Sequence, residues 1–120
     1  MNPAEDLLAV HLAELGLHSE RQFAYAKGRR FKADFAVWQP WGVGNYRYLI
    51  PGQGYPGLRL CLIEVTGGIF TRQAHSSIKG VLADNERLYQ AFKAGWHMIR
   101  VTPQQVESGE AKRMVSEALG

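Results

Sequence analysis

The segment Leu58-Arg59-Leu60-Cys61-Leu62-Ile63-Glu64-Val65-Thr66 constrains the fold of this chain more than any other. Aliphatic side chains occupy both alternating parities, so a strand built here is apolar on both faces. Such a strand is stable when covered from two sides, as the central strand of a layered α/β domain is. It ends at Gly67-Gly68, and its penultimate turn of side chains holds an acid, Glu64, where the pattern otherwise supplies aliphatic groups.

The flanking segments supply the covering layers. Asn2-Pro3-Ala4-Glu5 has the form of a helix start, with Asn as N-cap, Pro in the first turn and Glu three residues after the cap. Ala4, Leu7, Leu8, Leu12 and Leu15 then recur at helical spacing up to Gly16. Glu5 and Glu14 fall on opposite edges of that stripe, and His11 falls inside it as a core or interface histidine. Phe23 and Tyr25 alternate with polar or small residues before a turn at Lys27-Gly28. Phe31, Ala33, Phe35 and Val37 then alternate with Lys32, Asp34 and Ala36, which predicts an antiparallel hairpin. Residues 39–58 break every periodicity with three prolines and five glycines, leaving Tyr46–Ile50 as a candidate short strand. A helix is expected from about 76 to 94, with Ile78, Val81, Leu82, Leu88, Tyr89 and Phe92 on one side. Asn85 sits in the middle of that stripe and needs a partner if the stripe is buried. Gly95 stops this helix, His97 to Thr102 forms a last strand, and Pro103 opens a polar turn before a short helix around Glu110–Leu119. The predicted order is α-β-β-β-α-β-α, an α/β arrangement around a mixed sheet within a single domain spanning 1–120.

Composition narrows the function classes. No aliphatic run approaches the length of a membrane span, and Glu5 and Asp6 stand where a secretory signal would be basic. A single cysteine excludes an internal disulfide and a cysteine-based zinc site, and points to the cytoplasm. The net charge is +3, but residues 21–100 contain twelve Lys and Arg against only Asp34, Glu64, Asp84 and Glu86. The first twenty residues contain four acids and no Lys or Arg. A basic body of this kind favours a polyanionic partner such as nucleic acid.

Within that body, Asp34 and Glu64 are acids inside strand-like runs. A buried carboxylate costs several kcal/mol unless it is paired, hydrogen-bonded or metal-bound. Two on adjacent strands fit a Mg²⁺ site of hard oxygen donors; a salt bridge for each, for example of Asp34 with Lys32 or Arg100, fits equally simply. Asp84 and Glu86 read as helix-surface or structural acids, and Cys61, in an aliphatic run, as inert core. Lys27, Arg29, Arg30 and Lys32 crowd four cations into six positions, enough for phosphate contacts or for a solvated strand edge. The aromatic loop at 38–57 has three readings: stacking on exposed bases, a lid, or a dimer contact.

The segments Arg29-Arg30-Phe31-Lys32-Ala33-Asp34-Phe35-Ala36 and Ile63-Glu64-Val65-Thr66-Gly67-Gly68 resemble signature segments of the PD-(D/E)XK nuclease superfamily. The likeness continues through His75, Lys79-Gly80, Asp84, Glu86 and Gly95-Trp96-His97-Met98-Ile99-Arg100-Val101-Thr102. The closer resemblance is to small phage and bacterial endonucleases of the VRR-NUC, Holliday-junction-resolvase and very-short-patch-repair type. It implies a restriction-endonuclease-like αβββαβ core with a central mixed sheet flanked by helices, and 39–58 as an insertion. It further implies a Mg²⁺-dependent DNA endonuclease, with Mn²⁺ as substitute, in a bacterial or phage-infected cell. Duplex or branched DNA would be the substrate, repair or recombination the setting and a homodimer an option.

By resemblance, Asp34, Glu64 and the Val65 carbonyl would hold the metal, and Glu5, or less well Glu14, would be the helical glutamate. The signature lysine falls on Thr66. Lys79 is the replacement of choice, with His75 beside the scissile phosphate. Loss of that lysine leaves open a DNA-binding module without catalysis, and an unrelated α/β interaction domain with structural acids is the third reading.

Overall fold

The computed structural model describes residues 2–26, 28, 30–38, 60–66 and 78–119, so the segment at 39–58, with its candidate strand, lies outside the described residues. The elements are α1 (Pro3–Glu14), β1 (His18–Ala24), β2 (Lys32–Trp38), β3 (Leu60–Val65), α2 (Ile78–Lys93), β4 (His97–Val101), α3 (Pro103–Ser108) and α4 (Glu110–Leu119). Four strands form one sheet in the order β1-β2-β3-β4. β1 and β2 are antiparallel, β2 and β3 are antiparallel, and β3 and β4 are parallel. The result is a mixed α/β sheet flanked by helices. Parallel neighbours need a crossover, and the connection from β3 to β4 carries α2.

β3 is an inner strand apolar on both faces, as its sequence requires. Cys61 and Ile63 enter one core cluster, Leu60 and Leu62 the other. The first cluster joins Phe35 and Val37 of β2 to Leu8 and Leu12 of α1, Val106 of α3, and Val115 and Leu119 of α4. The second joins Ala36, Trp38 and Leu62 to Tyr25, Trp96 and Ala91, the last from α2. Helix ends follow their sequence signals. The Asn2 side chain accepts hydrogen bonds from the amides of Ala4 (3.1 Å) and Glu5 (3.3 Å). Gly95 ends α2 at φ +85°, a left-handed conformation that non-glycine residues avoid, while the Trp96 amide closes back on the Ala91 carbonyl at 2.9 Å.

Three details depart from the sequence reading. The turn expected after Pro103 is the helix α3, because Thr102 and Gln105 form a reciprocal capping box at its start. In β1, Arg21 reaches acids of α1 while Phe23 packs edge-on against Trp96 in the second cluster. Two residues apart in a regular strand share a face; between these two, Gln22 has φ +52°, which turns the strand over. The third concerns α2. Its apolar stripe does not face the sheet: Ile78 is 82% exposed, Leu82 63% and Phe92 80%, and Val81, Leu88 and Tyr89 are exposed as well. Asn85 is exposed with them and needs no internal partner. The side turned inward carries Asp84, Arg87 and Ala91, only the last of them fully buried.

Candidate active site

The pairing of Phe35 with Ile63 makes Asp34 and Glu64 the next cross-strand position at the same end of β2 and β3. The β1 register, with Arg21 opposite Phe35 and Phe23 opposite Ala33, brings Gln22 alongside Asp34. Glu64 pairs in turn with Arg100 of β4. Gln22, Asp34, Glu64 and Arg100 therefore form one row across all four strands. Polar groups accumulate here because the row lies at the edge of the apolar core, where β3 passes from fully to partly buried.

Each side chain in the row is held. The Asp34 Oδ2 accepts a hydrogen bond from the Val65 backbone amide at 2.7 Å, and its Oδ1 accepts a longer one from Gln22 Nε2 at 3.4 Å. Glu64 lies between two guanidiniums. Its Oε1 accepts from Arg87 at 2.5 Å, and its Oε2 lies 3.4 Å from Arg100 Nε. Arg100 also grips Asp84 of α2, with NH1 donating to Oδ2 at 2.7 Å and NH2 lying 2.5 Å from Oδ1. Of these Arg100 contacts, only the one through NH1 is aligned as a directional hydrogen bond; those through Nε and NH2 are ion pairs by proximity. Arg87 donates further to the Lys32 carbonyl at 3.1 Å and lies over the Phe31 ring, 5.3 Å from its centroid.

Among the described residues, two guanidiniums face two carboxylates, Glu64 and Asp84, and the pairing holds both arginines firmly protonated. Burial disfavours the charged form of Arg87, but its hydrogen bond and Coulomb attraction to Glu64 outweigh that and push its pKa up. The Arg100 pKa is raised chiefly by its hydrogen bond to Asp84. Asp34 differs: its contacts are with neutral N–H donors, and among the described residues it has no cationic partner. The salt bridge expected of an isolated acid is thus made by Glu64 with Arg100, and not by Asp34.

The other candidate residues are dispersed. Thr66 directs both its amide (2.7 Å) and its hydroxyl (3.2 Å) at the Val101 carbonyl, tying the end of β3 to β4. Glu5 accepts from Asn2 at 2.8 Å and lies 3.7 Å from Arg21, which makes a shorter ion pair with Asp6 at 3.0 Å. Glu14 pairs with Lys112 at 3.2 Å. Lys79 is exposed on the first turn of α2, Arg30 is exposed just before β2, and Lys32 is exposed as its first residue. His75, Lys27 and Arg29 lie outside the described residues.

Comparison with protein-family models, with curated proteins and with solved structures gives no match to this chain. The chemistry available to the row then rests on its donors. Asp34, Glu64 and the Val65 carbonyl are hard oxygen donors, the set that suits Mg²⁺. Asp34 retains acceptor capacity at Oδ1 and Glu64 at Oε2, but a metal there would sit beside the Arg87 and Arg100 guanidiniums and compete with them for Glu64. Among the described residues no group of three or more His, Cys, Asp or Glu side chains converges. A separate cavity of about 430 Å³, lined by Leu60, Cys61, His97 and Ile99 with Ala118 and Leu119, opens toward the opposite end of β3 and holds none of these acids.

Arg87 and Gln22 are the members of the site that sequence patterning missed. Arg87 had a signal: Gly80, Asp84, Arg87 and Ala91 recur at helical spacing opposite the apolar stripe. Gln22 had none, because its place beside Asp34 depends on strand register.

Proposed function

We propose that this chain is a Mg²⁺-dependent DNA endonuclease on a restriction-endonuclease-like core. The observation that supports this reading best is the placement of Asp34 and Glu64 at one cross-strand position on the two inner strands, with Val65 bonded to Asp34. The strand directions and order agree with the αβββαβ core implied by the sequence resemblance. A divalent ion held by Asp34, Glu64 and the Val65 carbonyl would lower the pKa of a bound water and polarise a phosphate. Arg87 and Arg100, fixed beside Glu64, offer planar guanidinium donors suited to phosphate oxygens. Arg30, just before β2, and Lys32, its first residue, are exposed and would contact the nucleic-acid backbone. Thr66 replaces the signature lysine and is committed to the Val101 carbonyl, so the positive charge comes from elsewhere, with Lys79 and the two arginines as the sources among the described residues.

Plasmid nicking tests the reading. Cleavage that needs Mg²⁺ or Mn²⁺, and falls by at least about 100-fold in both Asp34→Ala and Glu64→Ala, is the expected outcome. Lack of cleavage of duplex, single-stranded and four-way-junction DNA would sink it. The double arginine clamp on Glu64 favours a second reading, a DNA-binding module without catalysis. Salt-sensitive DNA binding that persists in Asp34→Ala, with no cleavage by wild type, selects that alternative.

A further inference from the structure

The outward face of α2 carries six large apolar side chains, and nothing among the described residues covers it. The face has an internal symmetry. Counting outward from Asn85, Leu82 is matched by Leu88, Val81 by Tyr89 and Ile78 by Phe92. A stripe that reads alike in both directions from its midpoint is what a two-fold axis requires, because residue i must meet residue j while j meets i. We infer that α2 packs antiparallel against α2 of a second copy of this chain, with the axis passing through Asn85. Ile78 of each copy then meets Phe92 of the other, and Val81 and Leu82 meet Tyr89 and Leu88.

Area and polarity both fit a second copy. The six side chains expose on the order of 700 Å², near the roughly 800 Å² per partner of a standard interface and at or above the largest apolar patches of ordinary monomers. A single Asn inside an apolar helical seam is the device that fixes register in paired helices, since its amide finds a partner in only one alignment. On the axis, Asn85 meets its own copy, and each amide offers both a donor and an acceptor to the other. The inward face of α2 is already occupied by the ion pairs of Asp84 and Arg87, so the outward face is free to associate without disturbing Glu64.

Light scattering and sedimentation equilibrium on the full chain are expected to give a dimer of twice 13.4 kDa. Leu82→Glu, at an exposed position of the single chain, should weaken dimerisation by at least about 100-fold by burying a charge against Leu88. Adding Leu88→Lys to the same chain should restore dimerisation, because residues 82 and 88 lie too far apart on one helix to pair within it and meet only across the axis. Asn85→Cys should cross-link to its own copy under oxidation, whereas Lys79→Cys, off the axis, should not. A wild-type monomer at high micromolar concentration overturns the proposal, and hydrogen exchange showing α2 protected in that monomer assigns its cover to the chain itself. A dimer indifferent to Leu82→Glu, or one not rescued by Leu88→Lys, also overturns it.

Discussion

The two sides of the sheet are finished differently. On one, α1, α3 and α4 close over Phe35, Val37, Cys61, Ile63 and Val101 with a cluster led by buried Leu8, Leu12, Val106, Val115 and Leu119. On the other, α2 meets the sheet through Ala91 and a lattice of ion pairs, and keeps its apolar residues outside. Both sides have a buried cluster, but α2 adds only Ala91 to the second as a fully buried residue and is otherwise held there by the ion pairs among Glu64, Arg87, Arg100 and Asp84.

The largest test of this contrast is a pair of truncations. Phe35→Ala on the closed side should destabilise the chain by about 3–5 kcal/mol, since it removes a fully buried ring and leaves a cavity. Leu82→Ala on α2 should change the stability of the single chain by under about 0.5 kcal/mol. Urea unfolding at dilute protein measures both. A comparable loss from Leu82→Ala under those conditions would mean that α2 is covered within the chain, and the contrast would collapse.

A smaller effect is expected within the ion-pair lattice. Arg100→Met removes a partner from both Asp84 and Glu64 and should cost about 1–3 kcal/mol, less than for a fully dry pair because the Arg100 side chain is 26% exposed. Adding Asp84→Leu should recover part of this, since the carboxylate that faced Arg100 is then removed together with its cation. Double-mutant cycles on urea midpoints give the coupling. Strict additivity would show that the lattice positions side chains without coupling them.

The same contrast explains what the sequence made legible. β3 was readable because aliphatic groups on both parities allow only a strand covered twice, and Leu62 and Ile63 are indeed on opposite sides. β2 and the first helix were readable from clean periodicity and an Asn cap. The orientation of α2 was not. Periodicity locates an apolar stripe on a helix but does not say what the stripe faces, and here the sheet beneath carries Glu64 and Arg100, whose need for partners turns Asp84 and Arg87 inward. The candidate site was legible as two acids on neighbouring strands. The clamp of Arg100 on Glu64 follows from a parallel register that local sequence does not encode, and Gln22 reaches Asp34 through a left-handed residue with no glycine to announce it.

The finest test uses Cys61, on the closed side, as a reporter of how well that side excludes water. Burial pushes its thiol from 9.0 up to about 12. The unfolded chain ionises this thiol first, so between about pH 9 and 12 the unfolded state holds fewer protons than the native state, and stability falls as pH rises. By pH 10 the loss attributable to Cys61 should be roughly 1.4 kcal/mol, with a slope of at most about 1.4 kcal/mol per pH unit. Other groups also titrate in this window, so the measured quantity is the difference in slope between wild type and Cys61→Ala, whose own cavity cost is independent of pH. The variant should show the shallower decline between pH 9 and 10.5. Equal slopes would mean that water reaches the thiol in the native state, and that the side closed by α1, α3 and α4 is not sealed at Cys61.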